Sequence, residues 1–495
     1  MSTRRGELFG GTARIFAAEA LLVPVGVVTA AFLSRRFGPE GYGLWTLACV
    51  LVVWVESNVA AALSRPAIKL VGEAADWREV GPAVLRLYTL VGVGLALLLW
   101  AASSTLAAAF GEPELAGYLK LLALDVPLFC AAQAHRNLIV GAGMFRERAL
   151  VSAARWTARL LLVVLFVEAS GSLKGALWGS ICASAVELLV CRRYARPSLF
   201  GRAGETRGGA YTMRRLCVYA LPLVASALCV SLYNRLDLLM LKALGGTSAE
   251  AGVYGVAQNL ALLPSLFSFS FAPVLLSTLS RALRDGDEAA ARQHARQAMR
   301  AVLLLLPLAS ATAGAAPEIV GLIFGTEFLA AAAPLRLLIF GSLALLLLAV
   351  ASCVLTAGGK PRWTFYVAGP LVACAAAGHL FLIPRSGATG AAFVTTTLAC
   401  AAALVTVGLV RQLWRVAPPA ATLWRSALVS VVAYQLLVWW PGPGLLLVPK
   451  LLAVSAFALA ALLLSGEFKA AELGALRSLF RRRTRGASLR APGGL

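Results

Sequence analysis

Charged residues are scarce in this sequence, and their scarcity limits the class of protein that it can encode. Asp, Glu, Lys and Arg together make up 14% of the 495 residues, whereas a soluble globular chain typically carries about 25%. Hydrophobic residues make up 60%, and the mean hydropathy is +0.80. Apolar runs of about 20 residues recur along the chain. Because one soluble core cannot bury that much apolar surface, the sequence predicts an all-α polytopic membrane protein.

The usual signs of catalysis and of bound cofactors are missing as well. The three histidines are dispersed, and the nine cysteines are scattered without a CxxC pair. The sequence has no P-loop, no GxGxxG fingerprint and no Ser/His/Asp cluster. We therefore expect no enzymatic activity, no metal, no disulfide framework and no cofactor.

Acidic residues are few: 23 Asp and Glu stand against 45 Lys and Arg, for a net charge of +22. In a soluble protein this excess would indicate nucleic-acid binding. Here most basic residues fall between apolar runs, as the bias of Lys and Arg toward the cytoplasm predicts. We therefore expect a lipid bilayer around the protein and no nucleic-acid partner.

The apolar runs predict about fourteen transmembrane helices. The first run begins like a signal peptide, but its apolar part is about 20 residues long and contains Glu19, so we interpret it as a helix. The polar segment 281–301 is predicted to be a cytoplasmic helical extension joining helices eight and nine. The predicted helices lie near 14–34, 43–64, 82–109, 116–141, 149–168, 173–195, 215–241, 251–280, 300–325, 333–357, 363–384, 387–413, 421–440 and 444–465.

The basic residues predict the orientation of these helices. An even number of crossings puts both termini on one side. With both termini in the cytoplasm, roughly 34 of the 45 Lys and Arg face inward and about eight face outward. We expect the basic tail to attract anionic lipid, with docking of a partner protein as the alternative.

Three pairs of segments resemble one another in the same order along the chain, which predicts a duplicated unit. In two of the pairs, glycines match at an offset of 216 positions. Because each unit holds six helices, both units keep the same orientation, and the repeat is parallel. The pairs are "GAGMFRERALVSAARW" (141–156) with "AGGKPRWTFYVAG" (357–369), "SGSLKGALWG" (170–179) with "SGATGAAFVT" (386–395), and "GYGLWTLACVL" (41–51) with "VYGVAQNLAL" (253–262).

This repeat divides the chain into two six-helix lobes and a C-terminal helix pair. The predicted parts are an N-terminal lobe (1–200), a basic cytoplasmic linker (201–214), a C-terminal lobe (215–418), an extra transmembrane helix pair (419–465) and a basic cytoplasmic tail (466–495).

Four stretches carry a resemblance to a known family: "FLSRRFGPEGYGLWTLACVL" (32–51), "YNRLDLLMLKALGGTSAEAGVYGVAQNL" (233–260), "AGGKPRWTF" (357–365) and "LIPRSGATGAAFVTT" (382–396). They resemble the Wzx-like oligosaccharide and polysaccharide flippases of the multidrug/oligosaccharidyl-lipid/polysaccharide (MOP) exporter superfamily. The resemblance implies export of an undecaprenyl-pyrophosphate-linked glycan across the bacterial inner membrane, for O-antigen, capsule or exopolysaccharide. It also makes polysaccharide assembly proteins possible partners. The chain departs from many relatives at the end of helix two, where "VESNVAAALSRPAIKL" replaces a glycine-rich segment.

Charged residues inside the membrane cost at least about 2.5–3.5 kcal/mol each, so they usually face a cavity or a partner. Arg155 and Arg159 share one face of helix five, where their guanidinium groups suit a pyrophosphate. The alternatives are internal pairing with Glu187 or Asp125, or snorkelling of Arg155 toward the cytoplasmic interface. Arg235 and Asp237 are two further candidates for lining the substrate cavity, with exposure at the outer interface as the alternative. They lie about 200° apart on helix seven and are poor partners for each other. We expect Asp237 to find its partner across the lobe interface.

The remaining membrane-embedded polar residues divide into two groups. Glu56 and Asn58 on helix two are candidates for lining the substrate cavity, with packing as the alternative. Asp125, Glu187 and Glu19 are weaker candidates for a coupling ion. A proton gradient, a sodium gradient, the membrane potential and downstream consumption of the exported glycan remain open as the energy source.

Three other functions stay open beside the flippase. They are a multidrug cation antiporter, a MurJ-like flippase for the peptidoglycan precursor and a membrane glycan polymerase or ligase. An antiporter predicts a cavity dominated by acidic residues. A polymerase predicts one large outer loop with catalytic Arg or His, and the outer loops predicted here are short.

Overall fold

The computed structural model describes residues 21–73, 76–196, 231–262, 264, 275–276, 278–360, 362–440, 442 and 444–467. Glu19, the predicted linker 201–214 and the tail beyond 467 therefore lie outside the described residues.

All regular secondary structure in the described ranges is helical. The helices are α1 Leu22–Glu73, α2 Trp77–Ala109, α3 Pro113–Leu122, α4 Asp125–Gly141, α5 Phe145–Ser170, α6 Leu173–Tyr194, α7 231–243, α8 Ser248–Ala261, α9 278–284, α10 Glu288–Leu303, α11 Leu306–Gly314, α12 Ala316–Phe324, α13 Ala332–Ala357, α14 Arg362–Trp414, α15 Ala420–Trp439 and α16 Leu447–Leu464. Two short 3-10 helices, Thr326–Ala331 and Gly444–Leu446, precede α13 and α16.

Ten helical stretches of the described chain are long and apolar enough to cross a membrane. Two of them, in α1 and α14, hold 47 and 49 residues, more than twice the roughly 20 needed for one crossing. Each bends at a glycine with positive φ, Gly38 (64°) and Gly387 (51°), and so provides two crossings. The prediction of a multi-pass all-α membrane protein is confirmed, and α7 and α8 represent the two predicted helices that the structure describes only in part.

Three predicted helical segments are interrupted, and proline explains the breaks in two of these segments. Proline has no backbone N–H to donate to the fourth preceding carbonyl. The predicted helix 116–141 breaks between α3 and α4, just before Pro127, and the predicted helix 300–325 breaks before Pro307 and before Pro317. The predicted polar extension 281–301 also breaks, at Gly286 with φ of 77°.

Polar contacts between distant helices show which helix ends lie together. At one end, here named the Glu112 end, Lys242 Nζ of α7 lies 2.7 Å from Glu112 Oε1, between α2 and α3. Arg35 of α1 donates to a carbonyl at the C-terminus of α12 at the same end. At the opposite end, here named the Glu467 end, Arg300 Nε of α10 lies 2.7 Å from Glu467 Oε1, after α16. These pairs fit helices that alternate in direction.

The C-terminal pair α15–α16 is held at both ends. Lys450 Nζ lies 2.7 Å from Glu318 Oε1 at the Glu112 end, and Glu467 accepts from Thr422 and Arg425 at the other end. The outer faces of the pair expose large apolar side chains to the surroundings, as a lipid-facing surface requires.

The two predicted lobes meet where α1 packs against α8. A Cβ on Gly43 of α1 would lie 1.7 Å from the carbonyl oxygen of Ser248, and one on Gly252 of α8 would lie 2.3 Å from the carbonyl oxygen of Pro39. Small residues at such contacts let membrane helices approach backbone to backbone. Glycine therefore sets the spacing between the predicted lobes at this point.

Candidate substrate and ion site

Six charged side chains from four helices meet inside the predicted N-terminal lobe. We name them the acid–base cluster: Glu56 of α1, Asp125 and Arg136 of α4, Arg155 and Arg159 of α5, and Glu187 of α6. The spacing of four residues between Arg155 and Arg159 gives them one helix face, and both line the same cavity. The sequence predicted five of these residues, although as two separate groups for substrate and for ion coupling.

The cavity is small, and both polar and apolar side chains line it. Its volume is about 30 Å³, and its lining includes Glu56, Asp125, Arg155 and Arg159. A single water needs about 10–15 Å³ on this measure, so about two waters fit. A glycan does not fit into a cavity of this volume.

Glu187 holds two of the three arginines. Its side chain is fully buried, with Oε2 2.5 Å from Arg155 Nη1 and Oε1 3.1 Å from Arg136 Nη1. Both guanidinium carbons lie 5.3 Å from the centroid of the Phe129 ring, in cation–π contact. The structure therefore pairs Arg155 internally with Glu187, which is the alternative that the sequence left open.

Arg159 differs from its neighbour. Its side chain is half-buried and faces the cavity, and it forms no ion pair with any residue that the structure describes. A guanidinium that is not bonded to a carboxylate keeps its donors for a ligand.

Asp125 stands at the break between α3 and α4, as the first residue of α4. The unpaired N–H groups and the dipole at a helix N-terminus favour a carboxylate there. Asp125 is 7% exposed and Glu56 is 6% exposed. Asp125 Oδ1 and Glu56 Oε1 both lack a hydrogen-bond partner among the described residues.

Asp237 occupies a different environment from the one that the sequence predicted. Its carboxylate accepts hydrogen bonds from Tyr254 Oη at 2.7 Å, from Gln258 Nε2 at 3.0 Å, from Thr395 Oγ1 at 3.3 Å and from the amide of Leu238 at 2.8 Å. These partners belong to α7, α8 and α14, so the partner expected across the lobe interface is instead found within the predicted C-terminal lobe. Such saturation is typical of a structural anchor.

The other predicted site residues lie apart from the cluster. Arg235 is half-buried, and it is not among the partners of Asp237. Asn58 Nδ2 of α1 donates to the Trp54 carbonyl at 2.6 Å and to Ser231 Oγ of α7 at 3.3 Å. Asn58 therefore joins the two predicted lobes.

Arg136 was not among the predicted site residues. Its segment "AQAHRNL" (132–138) is compatible with contacts to sugar hydroxyls or lipid head groups and equally with a solvated helix end. In the structure Asn137 is buried and donates to Tyr88 Oη at 2.7 Å, and Gln133 donates to Ser64 Oγ at 2.8 Å. Polar residues at successive turns of one apolar helix were the available signal, and only the neighbouring helices identify their partners.

The predicted lobes are joined at the Glu112 end by polar contacts. Arg35 Nε and Nη2 donate to the carbonyls of Ile323 and Leu322 at 3.0 and 2.5 Å. Glu112 accepts from Lys242 Nζ at 2.7 Å and from Ser248. Partial burial opposes it, but these bonds and the charge of Lys242 lower the pKa of Glu112. These contacts hold the two predicted lobes together at this end of the bundle.

Comparison with known proteins gives two kinds of match. The sequence profile of a family described as polysaccharide biosynthesis protein matches residues 32–333, more than half of the chain. No curated protein matches by sequence.

Solved structures match over nearly the whole chain. The lipid II flippase MurJ in an inward closed conformation superposes with a TM-score of 0.73 at 12% identity, covering 93% of this chain and 98% of that one. An inward-facing multidrug resistance MATE family transporter of the MOP superfamily gives 0.62 at 16% identity, covering 82% and 94%. A Vibrio cholerae MATE transporter gives 0.59 at 17% identity, covering 84% and 98%. At these identities the likeness shows a shared fold.

Proposed function

Because this chain belongs to the polysaccharide biosynthesis protein family, we propose that it is a flippase for a polyprenyl-pyrophosphate-linked oligosaccharide. It moves this lipid across the bacterial inner membrane for the synthesis of O-antigen, capsule or exopolysaccharide. The observation that carries the proposal is Arg159, a membrane-embedded guanidinium that faces a cavity and is not held by an acidic residue of the described chain. A guanidinium without a bonded carboxylate keeps its donors for an anion that enters the cavity, and the pyrophosphate supplies one.

Arg159 and Arg155 have different roles in this proposal. Arg159 makes the first contact with the pyrophosphate. Arg155 exchanges Glu187 for the pyrophosphate only when the site opens, because its pairing at 2.5 Å occupies it until then. The glycan then lies between the lobes, near Asn58, while the polyprenyl tail stays in lipid.

Transport follows from rocking of two six-helix lobes, 1–200 and 215–418, with the pair 419–465 attached to the second lobe. The backbone supports this parallel duplication. Glycines that match at the offset of 216 share a positive φ, of 79° and 73° in one pair and 60° and 51° in the other. These pairs are Gly143 with Gly359 and Gly171 with Gly387. In this state polar contacts hold the lobes together at the Glu112 end, and outward opening separates Arg35 from α12.

We place both termini in the cytoplasm and the Glu112 end in the periplasm. The distribution of Lys and Arg supports this orientation. Polysaccharide assembly proteins are the expected partners, and the energy comes from a proton or sodium gradient or from the membrane potential.

The residues that line the cavity favour a carrier of anionic lipid over a cation antiporter. Its lining has two arginines beside two carboxylates, whereas a cation carrier needs an excess of acidic groups. A polymerase is disfavoured because the described loops at the Glu112 end are short, with only residues 171–172 between α5 and α6. A MurJ-like flippase shares the same fold, so lipid II is the competing substrate in the test below.

The test compares Arg159→Ala with Arg155→Ala in the purified protein and in cells. Arg159→Ala is expected to lose undecaprenyl-pyrophosphate binding and surface-glycan export while keeping its thermal stability. Arg155→Ala is expected to lose stability as well, since removing one partner of a buried ion pair costs about 3–5 kcal/mol. Arg146→Ala, an exposed arginine at the start of α5, is the matched control and keeps both properties.

Three results contradict the proposal. Full glycan export by a normally expressed double variant, Arg155→Ala with Arg159→Ala, removes the pyrophosphate role. Tighter binding of lipid II than of other pyrophosphate-linked glycans moves the assignment to the peptidoglycan precursor. Net polymerisation of labelled lipid-linked glycan by the purified protein makes it an enzyme instead.

A further inference from the structure

The cavity of the acid–base cluster contains two carboxylate oxygens without hydrogen-bond partners in the described chain, Glu56 Oε1 and Asp125 Oδ1. Both side chains are more than nine-tenths buried and come from different helices, α1 and α4. An ionised oxygen buried without a hydrogen bond is costly. The pair therefore needs either a bound cation or a proton.

The groups that face this pair come from every helix around the cavity. Leu122 is the contribution of α3 to the lining, and it does not titrate. Glu187 and Arg136 lie behind the wall, paired with each other and with Arg155. The titratable, charged and hydroxyl groups of the lining are Cys49 and Glu56 of α1, Asp125 of α4, Arg155 and Arg159 of α5, and Ser180 and Ser184 of α6.

The charges divide unequally within the cluster. Glu187 is shared by two arginines, so that group of three has one positive charge in excess. Arg155 also lines the cavity but is bonded to Glu187, so Arg159 is the lining arginine left to Glu56 and Asp125. This second group of three has one negative charge in excess when both carboxyls are ionised. Two like charges in one small cavity disfavour double ionisation, and one proton relieves the repulsion. A metal cation would face both arginines, whereas a proton becomes part of a carboxyl group.

We propose that Glu56 and Asp125 bind one exchangeable proton, and that this proton frees Arg159 to bind the pyrophosphate of the substrate lipid. With both carboxyls ionised, the pair competes with the pyrophosphate for the guanidinium of Arg159. With the proton bound, the second group is neutral, and the cluster as a whole favours an anion. Proton and lipid then bind with positive cooperativity, and the coupling is reciprocal. The second half of the proposal rests on the flippase function proposed above.

The first experiment detects the proton without any lipid. Infrared difference spectra of the purified protein between about pH 5 and about pH 8 report the carbonyl stretch of protonated carboxyl groups. A band present in the wild type and absent from the double variant Glu56→Gln with Asp125→Asn is the expected result. Glu168→Gln, which removes an exposed carboxyl from α5, keeps the band. An identical spectrum in the double variant overturns the proposal.

The second experiment measures binding of undecaprenyl pyrophosphate in detergent, with undecaprenol as the ligand that lacks phosphate. Wild-type affinity is expected to be about tenfold higher at the acidic end of the range, within the usual size of coupling between two sites. The double variant, which has neither carboxylate charge, is expected to bind at least as tightly as the wild type does at the acidic end, at every pH in the range. Titration of the ligand itself is common to both proteins and cancels in the comparison. Unchanged pH dependence in the double variant, or dependence on sodium instead of pH, overturns the proposal.

A third measurement uses the wild type alone, in case the double variant does not fold. Adding undecaprenyl pyrophosphate in weak buffer is expected to cause net proton uptake by the protein. A guanidinium contact by itself favours proton release from the ligand, so the sign is diagnostic, and release overturns the proposal. If the lipid binds no better than undecaprenol at any pH, the flippase function fails, and the infrared band still decides whether the proton site exists.

Discussion

Replacing Gly43 by alanine tests the contact that closes the predicted lobes against each other. The new Cβ would lie 1.7 Å from the carbonyl oxygen of Ser248, 2.7 Å from its carbonyl carbon and 3.0 Å from the amide of Gly252. Ordinary contact begins at 3.4 Å, so α1 and α8 must separate by well over 1 Å, a change that rigid backbone atoms cannot absorb locally. Overpacking of this kind costs about 1–3 kcal/mol. The closed state is expected to lose population by roughly 5- to 150-fold relative to the open state.

The assay measures the distance between spin labels at two exposed positions of the Glu112 end, Glu114 and Ala243, in a cysteine-free background. Gly43→Ala is expected to move the distance distribution toward longer values. Gly94→Ala is the matched control, because a Cβ there meets no atom within 4 Å, and both changes gain about 1 kcal/mol of helix propensity. If the two variants give the same distribution as the parent protein, Gly43 does not set the lobe spacing, and the reasoning is wrong.

Three further predictions concern single carboxylates. Partial burial raises the pKa of Glu112, but its bonds to Lys242 and Ser248 outweigh this, so the net shift is downward. The contribution of Glu112 to closure is therefore fully present above the pKa that its carboxyl has without these bonds. It is lost as the pH falls through the lowered pKa. The same labels should report opening in acid, and Glu112→Gln should remove that response. Glu467→Gln should lower the free energy of unfolding by about 1.5–3 kcal/mol for each charge-assisted bond lost, while Glu288→Gln, an exposed pair on α10, changes it by less than about 0.5 kcal/mol. Asp237→Asn should lower thermal stability by about 1–3 kcal/mol without changing lipid affinity, and an affinity loss at unchanged stability would return Asp237 to the binding site.

The pattern of apolar runs is enough to predict the membrane class and most of the helices. Helices α5, α6, α13 and α15 begin and end within a few residues of the predicted bounds, because a crossing must be apolar for its whole length. The bend at Gly38 falls between the predicted helices 14–34 and 43–64, whereas the bend at Gly387 falls on the first residue of the predicted helix 387–413. The breaks before Pro127 and Pro307 were not predicted, because proline inside a membrane helix is compatible with either a continuous or an interrupted helix.

Local spacing also predicts part of the site. A separation of four residues puts Arg155 and Arg159 on one face whatever the surroundings are, and a separation of two keeps Arg235 away from Asp237. Charge in an apolar helix marks Glu56, Asp125 and Glu187 as residues that need a partner.

Only the tertiary structure decides which partner each residue has. Glu187 takes Arg155 and Arg136, while Arg159, one turn from Arg155, faces the cavity. Asp237 is bonded within the C-terminal half of the chain instead of across to the N-terminal half. The reason is physical: the sequence specifies the face of a helix through its period, but the distance between two faces depends on how the helices pack. Electrostatic attraction and hydrogen bonding both depend on that distance.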